Sequence, residues 1–191
     1  MTTPTTAVVE TGLVQTERGL RAQALWILGF AAATAIGAHL EIPHEPVPFT
    51  LQTMIVLLAG AFLGARNGAV SQVLYLAAGV LGAPVFAGGA IGAAKLLGPT
   101  GGYLLSFPVA AAITGYLVQQ RRSLVWTVAG MGAALIVIFA SGTIHLYAFY
   151  LHDEKAALTS GFLLFTWWDL LKLGAAAMIY HEIGKRWARV P

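Results

Sequence analysis

The sequence contains no cysteine, and only 10% of its 191 residues are charged. Without cysteine there are no disulfide staples, no thiolate metal sites and no cysteine nucleophile. So little charge excludes a water-soluble domain, in which about a quarter of residues are normally ionised. A third shortage concerns the cations, which lie dispersed at segment ends rather than gathered on one face with aromatics, so the net charge of +3 does not mark a nucleic-acid surface. No fixed-period repeat and no homology between halves is visible.

What is abundant is apolar length, with 58% of residues hydrophobic. Ala22 to Leu40, Leu124 to Leu151 and Phe162 to Tyr180 are each near or above the roughly 20 residues that cross a bilayer. Leu51 to Ala65, Ala69 to Val80 and Tyr103 to Val118 are shorter, and only just reach or fall short of a span. The expected fold is therefore all-α, an integral membrane bundle of six transmembrane helices over residues 20–191. Met1 to Gly19 is a Thr-rich tail that lacks the basic start and short apolar core of a cleaved secretory signal, and reads as a loose cytosolic tail.

Cytoplasmic loops retain Lys and Arg while translocated loops lose them. Sorted through six helices, Arg18, Arg21, Arg66, Arg121, Arg122, Lys185, Arg186 and Arg189 fall on one side, eight of the eleven cations. That side is expected to be cytoplasm, with both termini on it. Glu41, Glu45, Lys95, Asp153, Glu154 and Lys155 fall on the other. Fusing the region from Leu51 to Val80 into one span would leave Arg66 in mid-membrane, against the bilayer cost of a charge. Arg66-Asn67-Gly68 is the expected inner turn, Pro43, Pro46 and Pro48 keep the first outer loop extended, and Thr50 is the expected cap of helix 2.

Asp169 and Lys172 lie inside the last span, three residues apart and so on one helix face. An ionisable residue at membrane depth costs a few kcal/mol and faces a partner, a cavity or a substrate path. The pair could be a structural ion pair near the outer surface, with Lys172 snorkelling to water. It could equally bind a molecule with N–H groups at one end and a carbonyl or carboxylate elsewhere, because Asp169 only accepts and Lys172 only donates.

A second candidate is the outer loop from Pro84-Val85-Phe86-Ala87-Gly88-Gly89 to Gly98-Pro99-Thr100-Gly101-Gly102-Tyr103, too glycine-rich and apolar for a solvated turn. Irregular backbone at membrane depth is buried in protein or lines a cavity, where Phe86 and Tyr103 could pack against rings. The rival reading is a flexible connection that ends in a helix start, with Thr100 as its cap. Gly98 to Tyr103 lacks the Lys and Ser or Thr that must follow the glycines of a phosphate-binding loop. His39, His44, His145, His152 and His181 show no metal-ligand spacing. Ser141 and His145 stand one turn apart, but without an acidic orienter they suggest helix packing rather than hydrolysis. Ala31 and Ala35 give helix 1 a small-residue face suited to another helix, internal or a partner's.

Pro46-Val47-Pro48-Phe49-Thr50-Leu51-Gln52-Thr53, Pro84 to Gly89, and Gly98-Pro99-Thr100-Gly101-Gly102-Tyr103-Leu104-Leu105 follow one another at a spacing that resembles the BioY family of biotin transporters. The resemblance runs from helix 1 to helix 6. It implies a biotin-specific S component of an energy-coupling-factor transporter in a prokaryotic cytoplasmic membrane. Such a protein is not an enzyme and needs no cofactor beyond the biotin it carries. By this resemblance Asp169 and Lys172 match the Asp-Leu-Leu-Lys motif implicated in biotin binding, joined by Trp168, Tyr103, Phe86, Gly88, Gly89 and Gly101. It also implies a membrane-embedded coupling subunit docking on Ala31 and Ala35, with a pair of cytosolic ATPases. Two departures bear on pocket polarity: the family often has Pro-Gly where this chain has Trp167-Trp168, and some members carry Asn near Gly88. The alternatives are a stand-alone proton-coupled vitamin carrier titrating at Asp169, and an intramembrane enzyme using Ser141 and His145. Homo-oligomers are compatible with either transport reading.

Overall fold

The computed structural model describes residues 5–121, 123–163 and 166–184. Helix α1 runs from Thr5 to His39. No proline interrupts it, so the segment from Thr5 to Gly19 continues the helix instead of forming the loose tail expected. Glu41–Ile42 (β1) and Phe49–Thr50 (β2) pair antiparallel, Glu41 opposite Thr50 and Ile42 opposite Phe49. The proline-rich loop that follows α1 is thus closed on itself by a two-residue ribbon.

Helix α2 spans Gln52–Val80 but is not one rod, because Gly64 inside it has φ 80 and ψ 177. In a straight helix Gln52 and Tyr75 would lie roughly 34 Å apart, yet the Gln52 side-chain amide donates to the Tyr75 hydroxyl at 2.7 Å. The chain therefore folds back at Gly64 into two antiparallel limbs. The expected turn at Arg66-Asn67-Gly68 is two residues late. The sharp reversal needs a positive φ that only glycine adopts without strain, and Gly64 supplies it. Gly68 serves close approach instead: a Cβ there would sit 2.9 Å from the Gly60 Cα.

After a 3-10 turn at Ala87–Gly89 and the single turn α3 (Ala94–Leu97), α4 covers Gly101–Gln120. Helix α5 covers Leu124–Leu146 and continues as a π-helical turn over Tyr147–Leu151. His152, left-handed at φ 50, ends it. The expected span from Leu124 to Leu151 coincides with these bounds. Helix α6 (Glu154–Gly161), capped by Asp153, and α7 (Thr166–Gly184) complete the bundle. The expected last span from Phe162 includes residues 164 and 165, which lie outside the described residues.

Among the described residues four segments are long and apolar enough to cross a membrane: Gly19–His39, Gln52–Val80, Gly101–Gln120 and Leu124–Leu151. Large apolar side chains such as Leu25, Ile36, Val125, Ile136, Ile144 and Leu171 face outward. So much exposed hydrocarbon would be an association hazard in water and suits a lipid surround. The core lies between α2, α4 and α5, around Val56, Leu57, Phe107, Met131 and Ile138. A buried polar link ties α1 to the second limb of α2, where the Gln72 amide donates to the Thr34 and Ser71 hydroxyls at 3.2 and 3.1 Å.

Candidate binding site at the looped end of the bundle

Helix α7 brings Asp169 and Lys172 against the start of α2. Asp169 is 2% exposed, and its Oδ1 lies 2.8 Å from the Lys172 ammonium. Thr53 links the two, donating to Asp169 Oδ1 at 2.6 Å and accepting from Lys172 Nζ at 3.1 Å. Lys172 also donates to the Thr50 carbonyl at 2.9 Å. The ribbon fixes that carbonyl, because Thr50 is its last paired residue. Thr50 also accepts the Gln52 N–H on its hydroxyl at 3.3 Å, the capping contact expected of it, although the cap position itself is Leu51.

Asp169, Lys172, Thr50, Gln52 and Thr53 form the polar wall of a cavity. Val47 and Pro48 close it beside the ribbon, and Leu104, Phe107 and Phe139 form its apolar wall. Ala87, Lys95 and Thr100 come from the loop over it. Thr100 is the N-cap residue of α4, yet its hydroxyl does not cap the helix. The Thr100 Oγ1 is buried without a hydrogen-bond partner while the residue borders the cavity, where a polar ligand could satisfy it.

Of the sequence candidates, Asp169, Lys172 and Tyr103 line this cavity. Tyr103 donates its hydroxyl to the Gly161 carbonyl at 2.7 Å, so its ring is the part available to a guest. Phe86 is fully buried, edge-on to Tyr75 with centroids 5.6 Å apart. It fills the space over Gly79, where a Cβ would lie 2.2 Å from the ring. Gly88 and Gly89, at φ 72 and 68, shape the 3-10 turn of the loop. Gly101 allows α3 to abut α4, since a Cβ there would sit 1.8 Å from the Leu96 carbonyl. Trp168 is 54% exposed and borders a wider groove with His39, Glu41, Phe49, Met54 and Leu171, which shares Thr50 and Lys172 with the cavity. Ala31 and Ala35 are half-buried, packed against the core of their own chain.

Two histidines hold the roots of the loop: His39 Nε2 donates to the Pro84 carbonyl at 2.9 Å and His145 Nε2 to the Gly98 carbonyl at 3.1 Å. Ser141 donates separately to the Gly102 carbonyl at 2.8 Å. Ser141 and His145 are thus occupied in fastening α5 to the start of α4. Among the described residues no group of three or more His, Asp or Glu could hold a metal ion. Thr53, Thr50, Gln52, Thr100 and Lys95 are cavity residues that the sequence did not single out as ligand contacts. The available signal was weak, a Thr-rich helix start and one cation in a loop.

An apolar bundle with a cavity beneath a glycine loop, one wall of it carrying a buried ion pair, is the architecture of a multi-pass membrane protein built around a small-solute cavity. A sequence model of the BioY family matches residues 8–189, and the chain belongs to that family. It is 42% identical over 156 residues to the biotin transporter BioY of Thermotoga maritima, covering 82% of this chain and 92% of that protein. It is 39% identical over 154 residues to a probable biotin transporter BioY of Pyrococcus horikoshii, covering 81% and 91%. The fold superposes on the crystal structure of the S-component for biotin from an ECF-type ABC transporter with a TM-score of 0.82 at 26% identity, covering 92% of this chain and 95% of that one.

Proposed function

We propose that this chain captures biotin at the outer face of a prokaryotic cytoplasmic membrane and delivers it inward as the S component of an energy-coupling-factor transporter. The names of its BioY relatives and of the superposed S-component support the substrate and the transporter class. The observation that carries the reading to particular residues is the buried Asp169–Lys172–Thr53 cluster on the wall of the loop-covered cavity. A vitamin with urea N–H groups at one end and an apolar ring behind them matches a wall that offers an acceptor next to Leu104, Phe107 and Phe139.

In this reading the bundle crosses the membrane six times with both termini inside. The two limbs of α2 and the charged helix α7 are the additional crossings, and the cation asymmetry of the loops sets the direction. The limbs are short for a hydrocarbon core of about 30 Å, and the ribbon and the outer loop make up the depth. Transport needs a membrane coupling subunit and an ATPase pair; Ala31 and Ala35, half-buried against the chain's own core, leave only the open part of their stripe on α1 for such a partner.

The test is retention of radiolabelled biotin by the purified protein. Wild type is expected to retain it, and Asp169→Asn and Lys172→Ala to lose it. Retention by both variants at the wild-type level removes the site, and no retention by wild type removes the substrate.

A further inference from the structure

The Asp169–Lys172 pair is chemically closed on its cationic side. An ammonium has three donors, and those of Lys172 are directed to Asp169 Oδ1, the Thr50 carbonyl and the Thr53 hydroxyl at 2.8, 2.9 and 3.1 Å. Its charge is cancelled by the adjacent carboxylate. A second carboxylate brought to this pair would find no free donor and would meet Asp169 as a like charge. Asp169 keeps one oxygen, Oδ2, with no partner among the described residues, which suits an incoming N–H group.

One other cation borders the same cavity. Lys95, on α3 in the loop, is half-buried, and among the described residues its ammonium has no ion pair or hydrogen bond. Partial burial of an uncompensated charge is unfavourable, and an arriving anion relieves it. The orphaned Thr100 hydroxyl borders the cavity from the end of the same loop and can add a donor. The charges on this cavity are therefore split, a neutral pair on the helical wall and a free cation in the roof.

From this division we infer that Lys95 binds the carboxylate of the ligand, leaving Asp169 Oδ2 to the urea N–H groups and Lys172 to hold Asp169 in place. The inference rests on the biotin reading above. It makes Lys95 a specificity-determining residue, and it makes loop closure depend on the ligand's anionic tail.

The experiment measures the affinity of detergent-purified protein for biotin and for biotinamide, its neutral carboxamide, in wild type, Lys95→Met, Lys95→Arg and Asp169→Asn. Lys95→Met is expected to weaken biotin at least tenfold, the order of a charge-assisted hydrogen bond, and to weaken biotinamide, whose carboxamide oxygen accepts only an uncharged-acceptor bond, several-fold less. Lys95→Arg is expected to bind biotin nearly as wild type does, and Asp169→Asn to weaken both ligands. Unchanged biotin binding by Lys95→Met overturns the assignment. So does an equal loss for both ligands, which would give Lys95 a structural role in the loop. Failure of wild type to bind either ligand overturns the biotin reading itself.

Discussion

The two ends of the bundle share glycines that bring helices together, but one end adds glycines that shape a loop over a cavity. At the Gly64 end, glycines remove space: a Cβ on Gly115 would lie 2.3 Å from the Ala65 nitrogen, and one on Gly60 2.3 Å from the Ala111 carbonyl. Backbones touch there, as expected where dispersion drives helix association in lipid. At the end capped by the loop, Gly101 and Gly102 also bring backbones together, but Gly88 and Gly89, at positive φ, shape a roof over a cavity. The comparison teaches that rigidity at one end lets an ion pair be held open to a guest at the other. An expensive buried carboxylate persists because Thr53 and Lys172 hold one of its oxygens in place.

The comparison breaks most severely at the ion pair. Asp169→Leu alone leaves the Lys172 ammonium without its counter-charge and is expected to cost about 3 kcal/mol of stability. The double variant Asp169→Leu with Lys172→Met is expected to recover most of the melting temperature in detergent, yet to bind no biotin. Recovery of binding together with stability would reduce the pair to a structural element. At the closed end, Gly115→Leu forces a side chain into backbone and is expected to cost about 2 kcal/mol by overpacking, read as a lower melting temperature. The affinity of the folded fraction stays at the wild-type value, because the packing lies a helix length from Asp169. The smallest effect is expected from Thr100→Val. Removing a buried, unpartnered hydroxyl stabilises the ligand-free protein slightly, while biotin binding weakens by about 1 kcal/mol, the net worth of one hydrogen bond. Opposite signs for the two measurements distinguish a ligand contact from a packing residue.

Much of the fold was legible because lipid makes simple demands. The run from Leu124 to Leu151 ends where a left-handed His152 stops the helix. Arg66 announced that the chain between Leu51 and Val80 must reverse, since a charge in mid-membrane is costly. Which glycine makes the reversal was not legible, because Arg66-Asn67-Gly68 has the better turn composition and only packing against Gly60 excludes Gly68. Helix α6 escaped notice because Glu154–Gly161 is too polar and short to carry a hydrophobic period. In the site, Asp169 and Lys172 stood out by charge and spacing. Thr53 and Thr100 did not, because a threonine in an apolar helix is ordinary until its hydroxyl is seen bridging a charge or lacking a partner. Phe86 looked like a ring for the ligand, but the gap over Gly79 takes it into the core. Trp168, one residue before Asp169, turns outward to the groove because adjacent helical residues point in different directions.

The most direct measurement is a structure of the protein loaded with biotin. The account predicts a ligand N–H within hydrogen-bond distance of Asp169 Oδ2, the rings against Leu104, Phe107 and Phe139, and the Asp169–Lys172–Thr53 contacts unbroken. Biotin lodged in the groove beside Trp168, with the cavity under the loop unfilled, would contradict it.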